Sequence, residues 1–479
     1  MTESPTAGAR LRGSIGVTGI VLLVIAAAAP LTAVAGALPL MIGLGNGAGA
    51  PTAYLVAAAV LLVFSVGYAA MSGHMDEAGA FYAYVRRRLG TSTGLGAAGL
   101  ALLTYTAIQA GIYGLAASTV EELVVHYGGP DLPWYIYAFA LLTVVGVLGY
   151  RNIELGAKVL GVLLVVEIGI IVALSAAVLV KGGARGIDAV SFTPSAFFDG
   201  SPGVALMFAI ASFIGFEATA IYGEETRDPR RTIPRATYLA VLTIGGLYAV
   251  ASWAMVLAFG SADVAAAAGA DPEGLTFTAA RLYLGETAAD SMAVLLVTSL
   301  FAALLALHNV VARYGYALAR DGIGHPALGH IHLRHGSPHK ASLAQTLSAA
   351  LVVGTFAVAG ADPILHLFTW MSGLATVAIL LLMLLTSVAV IVFFRRTGLD
   401  RRQWHTVYAP ALGTAGLFLV TVLVIDNFTT LVGGSTLVAT TLLAIVVATF
   451  GAGVAVARAR RSTPATGTLA DPELSIADR

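Results

Sequence analysis

The chain has 479 residues, of which 58% are hydrophobic and only 11% charged; its 26 basic and 26 acidic side chains cancel to a net charge of zero. With a mean hydropathy of +0.87, this composition excludes a soluble globular domain, gives no basis for a nucleic-acid partner and places the chain in a lipid bilayer. Cysteine is absent, which excludes a disulfide framework, a thiol nucleophile and an iron–sulfur site.

Residues 1–16 are small, polar and basic and run into an apolar segment without a cleavage site, so they read as a cytoplasmic tail before a retained first helix. Apolar runs of about 20 residues then recur along the chain, the signature of helical spans and not of a barrel. Twelve are predicted, over 17–43, 51–72, 94–125, 134–150, 155–180, 202–223, 236–260, 288–313, 341–359, 365–394, 408–426 and 436–457. The first is interrupted: Pro30 lacks an amide hydrogen and clashes with the preceding turn, and Gly36 and Pro39 loosen the remainder of the span. In the third, Tyr105, Gln109 and Tyr113 recur every four residues and share a face. Tyr105 and Gln109 are assigned to a solute chamber and Tyr113 to packing, although such a stripe also serves as interhelical glue.

Glu167 lies among aliphatic residues in the fifth span. About 12 residues at about 1.5 Å each puts it roughly 18 Å deep. Burial disfavours its charged form, so it can hold a proton at neutral pH and release it when water or a cation arrives. The alternative is a permanently protonated Glu167 bonded to a neighbouring helix. The sixth span carries Ser212, Gly215 and a second carboxylate, Glu217. A spanning helix that accepts a glycine and a carboxylate is usually broken to line a solute pathway; the bland reading is a kinked helix with Glu217 at the cytoplasmic interface. Glu224 and Glu225 and the arginines after them read as a cytoplasmic charge network that changes between inward- and outward-facing states. His325, His330, His332, His335 and His339 crowd the loop after the eighth span, but without acidic or cysteine partners they read as a solvated basic loop at the headgroups, and no metal site is expected. His308 in the eighth span reads as packing, with a proton relay as the alternative.

An even number of spans puts both termini on one side. With that side cytoplasmic, 23 of the 26 basic residues lie inside, and only Lys181, Arg185 and Arg281 lie outside, as the positive-inside rule requires. Spans one and six then begin two five-helix blocks that enter the membrane from opposite faces. Interrupted helices at matching positions of inverted repeats point to a central transport site. The predicted organisation is a tail over 1–16, a first repeat (helices 1–5) over 17–180, an extracellular loop over 181–201, a second repeat (helices 6–10) over 202–394, two further helices over 395–457 and a disordered cytoplasmic tail over 458–479.

The segment SFIGFEA (residues 212–218), together with EETRDPRRTIPRA (224–236), resembles the helix-six signature and adjoining loop of the amino acid–polyamine–organocation superfamily of secondary transporters. EAGAFYAYVRRRLG (77–90) and ARYGYALARDG (312–322) resemble its segments after helix two and at the end of helix eight. The resemblance implies two inverted five-helix repeats plus two extra helices, with solute held by unwound backbone of helices one and six. Those segments are here Ala29, Pro30, Leu31, Thr32 and Ala33, and Ala211, Ser212, Phe213, Ile214 and Gly215. It places the amine of the solute near Phe213, Ile214 and Gly215. It also implies coupling to protons or sodium, or exchange of one solute for another.

Two departures stand out. Helix one reads AAAAPLTAVAG in place of a glycine-rich stretch, which makes a simple α-amino acid less certain as the solute and resembles the variant of putrescine-type members. Ala211 stands where some relatives have a bulky aromatic lid, leaving room for a larger or more apolar solute. Helix five of proton-coupled relatives often carries a lysine near the position of Glu167, so the coupling scheme stays open.

The sequence therefore predicts an all-α multi-pass protein of the bacterial inner membrane. It imports or exchanges an amino acid or related amine, with protons as the expected coupling ion and Glu167 and Glu217 as coupling or gating groups. No cofactor is expected, and monomer and homodimer both stay open. A polyamine or organic-cation carrier and an uncoupled exchanger are the alternatives. A membrane-embedded enzyme is the remote one, since the chain has no thiol nucleophile or HExxH pair.

Overall fold

A computed structural model describes residues 16–72, 74, 81–153, 157–221, 226, 228–320, 322–332 and 334–462. The helices of the apolar segments are α1 (Val17–Ala27), α2 (Ala50–Ser72), α3 (Thr91–His126), α4 (Trp134–Tyr150), α5 (Ala157–Lys181), α6 (Pro202–Ala211), α7 (Pro229–Phe259), α8 (Glu286–Arg320), α9 (His339–Val358), α10 (Thr369–Thr397), α11 (Ala409–Asp426) and α12 (Thr436–Ser462). Among the described residues, nine helical stretches are long and apolar enough to cross a membrane. The first, Val17–Ser72, holds both α1 and α2; α4 and α6 are shorter apolar helices. The all-helical membrane class expected from composition is thus the observed one.

The middle of the bundle is α3, which packs on α12, α10, α8 and α4. Close approach depends on small residues, as is usual where lipid offers no hydrophobic drive to association. A Cβ on Gly96 of α3 would come within 2.6 Å of the Phe450 ring of α12, and one on Gly453 would meet the Leu95 backbone. On the other flank α7 lies along α2 and α5. The chain beyond α1 does not return at once to regular helix. It runs through wide turns over Thr32–Ala37 and Met41–Asn46 on either side of Pro39, because each proline removes a ladder donor.

The predicted spans leave 261–287 unassigned, and there the structure has two short helices, Val264–Ala270 and Leu275–Leu284. They pack over the far end of the helix-one segment, and Thr276 Oγ1 donates to the Val34 carbonyl at 3.2 Å. The loop before α6 is tied to the same face. Lys181 Nζ donates to the Tyr283 carbonyl at 2.9 Å, Ser261 Oγ to the Asp188 carboxylate at 2.7 Å, and Arg185 pairs with Asp263. Residues 77–80, 224, 225, 227 and 321 and most of both predicted tails, to which several of the sequence expectations refer, lie outside the described residues.

Candidate functional site

Both expected interruptions are present, and they face each other. Helix α1 ends at Ala27; Ala29 has φ +45°, and the ladder resumes beyond Pro30. Left-handed backbone costs a residue with a Cβ about 1–2 kcal/mol, so the packing around Ala29 holds it there. Helix α6 ends at Ala211, and residues 212–217 form irregular turns before a last short helix, Ala218–Ile221. Gly215 has φ +111°, and a Cβ built on it would lie 3.2 Å from the Cβ of Ala27. The end of one half-helix therefore abuts the break in the other.

Each break is braced by tyrosines from outside. Tyr248 of α7 donates its hydroxyl to the Ala28 carbonyl at 3.2 Å. Its ring lies 5.3 Å from Tyr54 of α2 and 6.0 Å from Phe213. The Tyr54 hydroxyl is 3.4 Å from Ser212 Oγ, which donates to the Phe208 carbonyl at 2.8 Å. Tyr68 of α2 donates to the backbone carbonyl of Glu217 at 2.9 Å. Periodicity does not announce these tyrosines, since each serves a partner more than a hundred residues away.

The Glu217 carboxylate turns back onto its own break. It accepts from the Gly215 amide at 2.9 Å and from the Tyr105 hydroxyl at 2.6 Å, and the residue is 2% exposed. Glu217 therefore folds back onto the break within the bundle and does not point to an interface. Glu167 of α5 is also buried. It accepts from Ser299 Oγ of α8 at 3.0 Å and lies within electrostatic reach of the Leu31 amide, just past Pro30. Ser299 carries no sequence signal beyond being a hydroxyl in an apolar helix. Thr32 Oγ1 is buried with no hydrogen-bond partner, and Ala33 is buried beside it. Among the described residues, no backbone amide bonds to the carbonyls of Ser212 or Ile214. The region thus offers free acceptors, one orphan hydroxyl and two carboxylates.

Tyr105 and Gln109 part company. Tyr105 reaches the α6 break, whereas Gln109 donates to the Leu304 carbonyl of α8 at 3.1 Å and accepts from Gln345 Nε2 of α9 at 2.5 Å. Tyr113 is buried further along α3. His308 is buried and bonds Ser342 Oγ of α9 through Nε2 at 2.8 Å. The rings of His332, His335 and His339 gather on Tyr150, with centroids 5.7, 6.4 and 5.7 Å away. These three histidines are half-buried where a solvated loop was expected. Among the described residues, no three histidine or acidic side chains are placed to hold a metal ion.

A family model described as amino acid permease matches residues 19–463. A low-affinity putrescine importer of Escherichia coli is 26% identical over 344 residues, covering 70% of this chain and 73% of that protein. A branched-chain amino acid permease of Bacillus subtilis is 24% identical over 322 residues, covering 64% and 67%. An uncharacterised transporter of Mycobacterium tuberculosis is 28% identical over 344 residues, covering 67% and 73%. Among solved structures, a mutant of the Eremococcus coleocola manganese transporter superposes with a TM-score of 0.57 at 14% identity, covering 96% of this chain and 98% of that one; at that identity the likeness concerns the fold. The chain belongs to the amino acid permease family, whose members are membrane transporters and not enzymes.

Proposed function

We propose that this permease is a secondary active transporter that imports or exchanges an amino acid or related amine by alternating access around the two facing breaks. The observation that carries the reading is the abutment of Gly215 on Ala27, with unsatisfied carbonyls and buried carboxylates at the same place. Freed carbonyls at a half-helix end accept an ammonium, and freed amides at a half-helix start accept an anion. The putrescine importer and the branched-chain amino acid permease bracket the same solute range. Residues Ala29–Ala33 and Ala211–Gly215 form the solute site, and Tyr105 orders it through Glu217.

Protons are the coupling ion in this reading, and Glu167 is the group that takes and releases them. It joins α5, α8 and the break in helix one, so a change in its charge acts on the element that must move. The protein sits in the bacterial inner membrane with both termini in the cytoplasm, the orientation favoured by 23 of its 26 basic residues.

The test is uptake into proteoliposomes of a panel of radiolabelled amino acids and amines under an imposed pH gradient. Accumulation that collapses with the gradient supports the whole reading. Uptake that ignores the gradient but responds to internal solute makes the protein an uncoupled exchanger.

A further inference from the structure

Far from the two breaks, the end of α4 is clasped by a loop whose own folding needs neutral histidines. Residues 325–339 lie between α8 and the first residue of α9. His325 Nδ1 accepts from the Ala327 amide at 3.1 Å, and His332 Nδ1 from the Arg334 amide at 3.2 Å. A ring nitrogen that accepts a hydrogen bond carries no proton. The His332 backbone closes the turn, donating to the Ser337 carbonyl at 2.9 Å and accepting from the Gly336 amide at 2.8 Å. Ser337, fully buried, then donates its Oγ to the Tyr150 carbonyl at the end of α4, at 2.6 Å. Around the Tyr150 ring the imidazoles crowd one another: His332 is 4.7 Å from His335 and 5.1 Å from His339, centroid to centroid. The charged groups facing them are cations, namely Arg151 after α4, Arg334 in the loop and Lys340 of α9, with His330 also near. From α8 comes His308, bonded to Ser342 of α9. Among the described residues no carboxylate faces the three rings, and the Ser337 carbonyl beside His339 is a neutral acceptor.

We infer that residues 325–339 form a proton-operated latch, which clasps the end of α4 to the start of α9 while its imidazoles are neutral and lets go when they are protonated. Two events open it. A proton on His332 Nδ1 removes the acceptor that holds the Arg334 amide, and a second imidazolium in the cluster meets like charge from Arg151, Arg334 and Lys340 with no anion to offset it. Desolvation, and after it His332, Arg334 and Arg151, hold His335 below the usual histidine value. The latched state is therefore fully stable above the ordinary histidine value of about 6.5 and loses stability as the pH falls below it. The clasp also continues inward. Ser342 and Gln345 follow His339 at steps of three along α9, and they bond His308 of α8 and Gln109 of α3. Opening the latch thus frees the near end of a polar ladder that reaches the middle of the bundle. In the orientation proposed above, the protons sensed are those of the cytoplasm; the latch itself does not depend on the transport reading.

The test is amide hydrogen exchange of the full chain in nanodiscs, read by mass spectrometry at about pH 7.5 and about pH 5.5, on either side of the ordinary histidine value. After correction for the intrinsic chemical rate, the loop amides at 332–337 are expected to exchange about tenfold faster at the lower pH, since each linked proton contributes up to about tenfold per pH unit. Amides in the middle of α9 are expected to stay protected at both. The combined variant His332→Gln, His335→Gln and His339→Gln keeps planar polar side chains that cannot take a proton, and its corrected loop exchange is expected to be flat with pH. A flat profile in the parent chain overturns the latch, as does a rise that spreads to the middle of α9, which would be general unfolding. Parental pH dependence in the variant also overturns it, because the protons would then bind elsewhere. If the combined variant fails to fold, His335→Gln alone takes its place and is expected to cut the parental rise by about threefold; an undiminished rise counts against the latch in the same way.

Discussion

Gly215 and Glu167 show how single side chains set what the breaks can do. Gly215 is needed twice over. Its φ of +111° suits a residue without a Cβ, and its Cα faces Ala27 at a distance where a Cβ already crowds. A β-branched residue there would cost about 1–3 kcal/mol in backbone strain alone, and relief of that strain would turn the amide away from Glu217. Gly215→Val is therefore expected to abolish solute binding and to lower the melting temperature, with Gly215→Ala showing a smaller loss of both; parental binding by Gly215→Val would move the solute site away from this segment. Glu167 lies in a different position, bonded across helices and not within its own turn. Glutamine at this site keeps the shape of the protonated acid and its bond to Ser299 but has no proton to release. Glu167→Gln should abolish accumulation driven by a pH gradient at every pH, while exchange of labelled for unlabelled solute persists. Accumulation with parental pH dependence would assign Glu167 a structural role and pass coupling to Glu217 or His308.

Between helices, the breaks are as much a product of their braces as of their own residues. Pro30 and Gly215 were readable from the sequence because proline and glycine act on the backbone locally, whatever surrounds them. Glu167 and Glu217 were readable because a carboxylate in an apolar run is costly anywhere. The bracing tyrosines were not, because Tyr68, Tyr54 and Tyr248 sit in helices where any buried aromatic would satisfy the pattern, and only the tertiary arrangement assigns the hydroxyls. The stripe on α3 divides for a related reason. A four-residue step rotates a helix about 40° past a full turn and climbs about 6 Å, enough to send Tyr105 to α6 and Gln109 to α8 and α9. The short helices between α7 and α8 were missed because a search for spans passes over segments too short to cross. The brace itself is testable. Tyr248→Phe leaves the tilted and edge-on ring contacts in place but deprives the buried Ala28 carbonyl of its donor, a loss of about 1–3 kcal/mol. The expected result is a lower melting temperature and weaker binding, measured together on the purified protein, with Tyr54→Phe the milder of the two because its contact with Ser212 is longer at 3.4 Å. Equal and negligible effects would mean that the breaks hold themselves.

At the scale of the whole molecule, orientation and gating can be read from opposite ends of the same bundle. The chain has no cysteine, so single introduced thiols report sidedness without background. Cysteines replacing Arg87 and Arg401 should be labelled only from the cytoplasm and one replacing Arg185 only from outside; the reverse would overturn the orientation and the repeat argument with it. On the outer face in that orientation, α3 meets the loop before Leu275–Leu284 through two acids. The carboxyl groups of Glu122 and Glu273 lie within hydrogen-bonding reach of each other, and Ser118 Oγ donates to Glu273 at 2.8 Å. The charged groups facing the pair are acidic as well: Glu121 on α3, Asp271 in the same loop and Asp362 before α10. Two carboxyls can share a hydrogen bond only while one of them is protonated. Burial, and after it the nearby Asp362 and Asp271 carboxylates, push Glu273 above the usual carboxylate range. The contact is therefore fully present at low external pH and is lost once the pH is high enough to ionise Glu122, the partner that donates the shared proton to Glu273, because two ionised carboxylates repel. Because the pair lines a small cavity with Gly36 of the helix-one segment and Thr119 of α3, its loss should open that cavity from outside. A cysteine at Thr119 is accordingly expected to react faster with an impermeant thiol reagent as the external pH rises above the usual carboxylate range, after correction for ionisation of the thiol. Glu273→Gln accepts or donates the same bond without a proton and should hold the rate low and flat with pH. A corrected rate that does not change with pH in the parent chain would show that the outer face is closed by packing alone and that the acid pair takes no part in it.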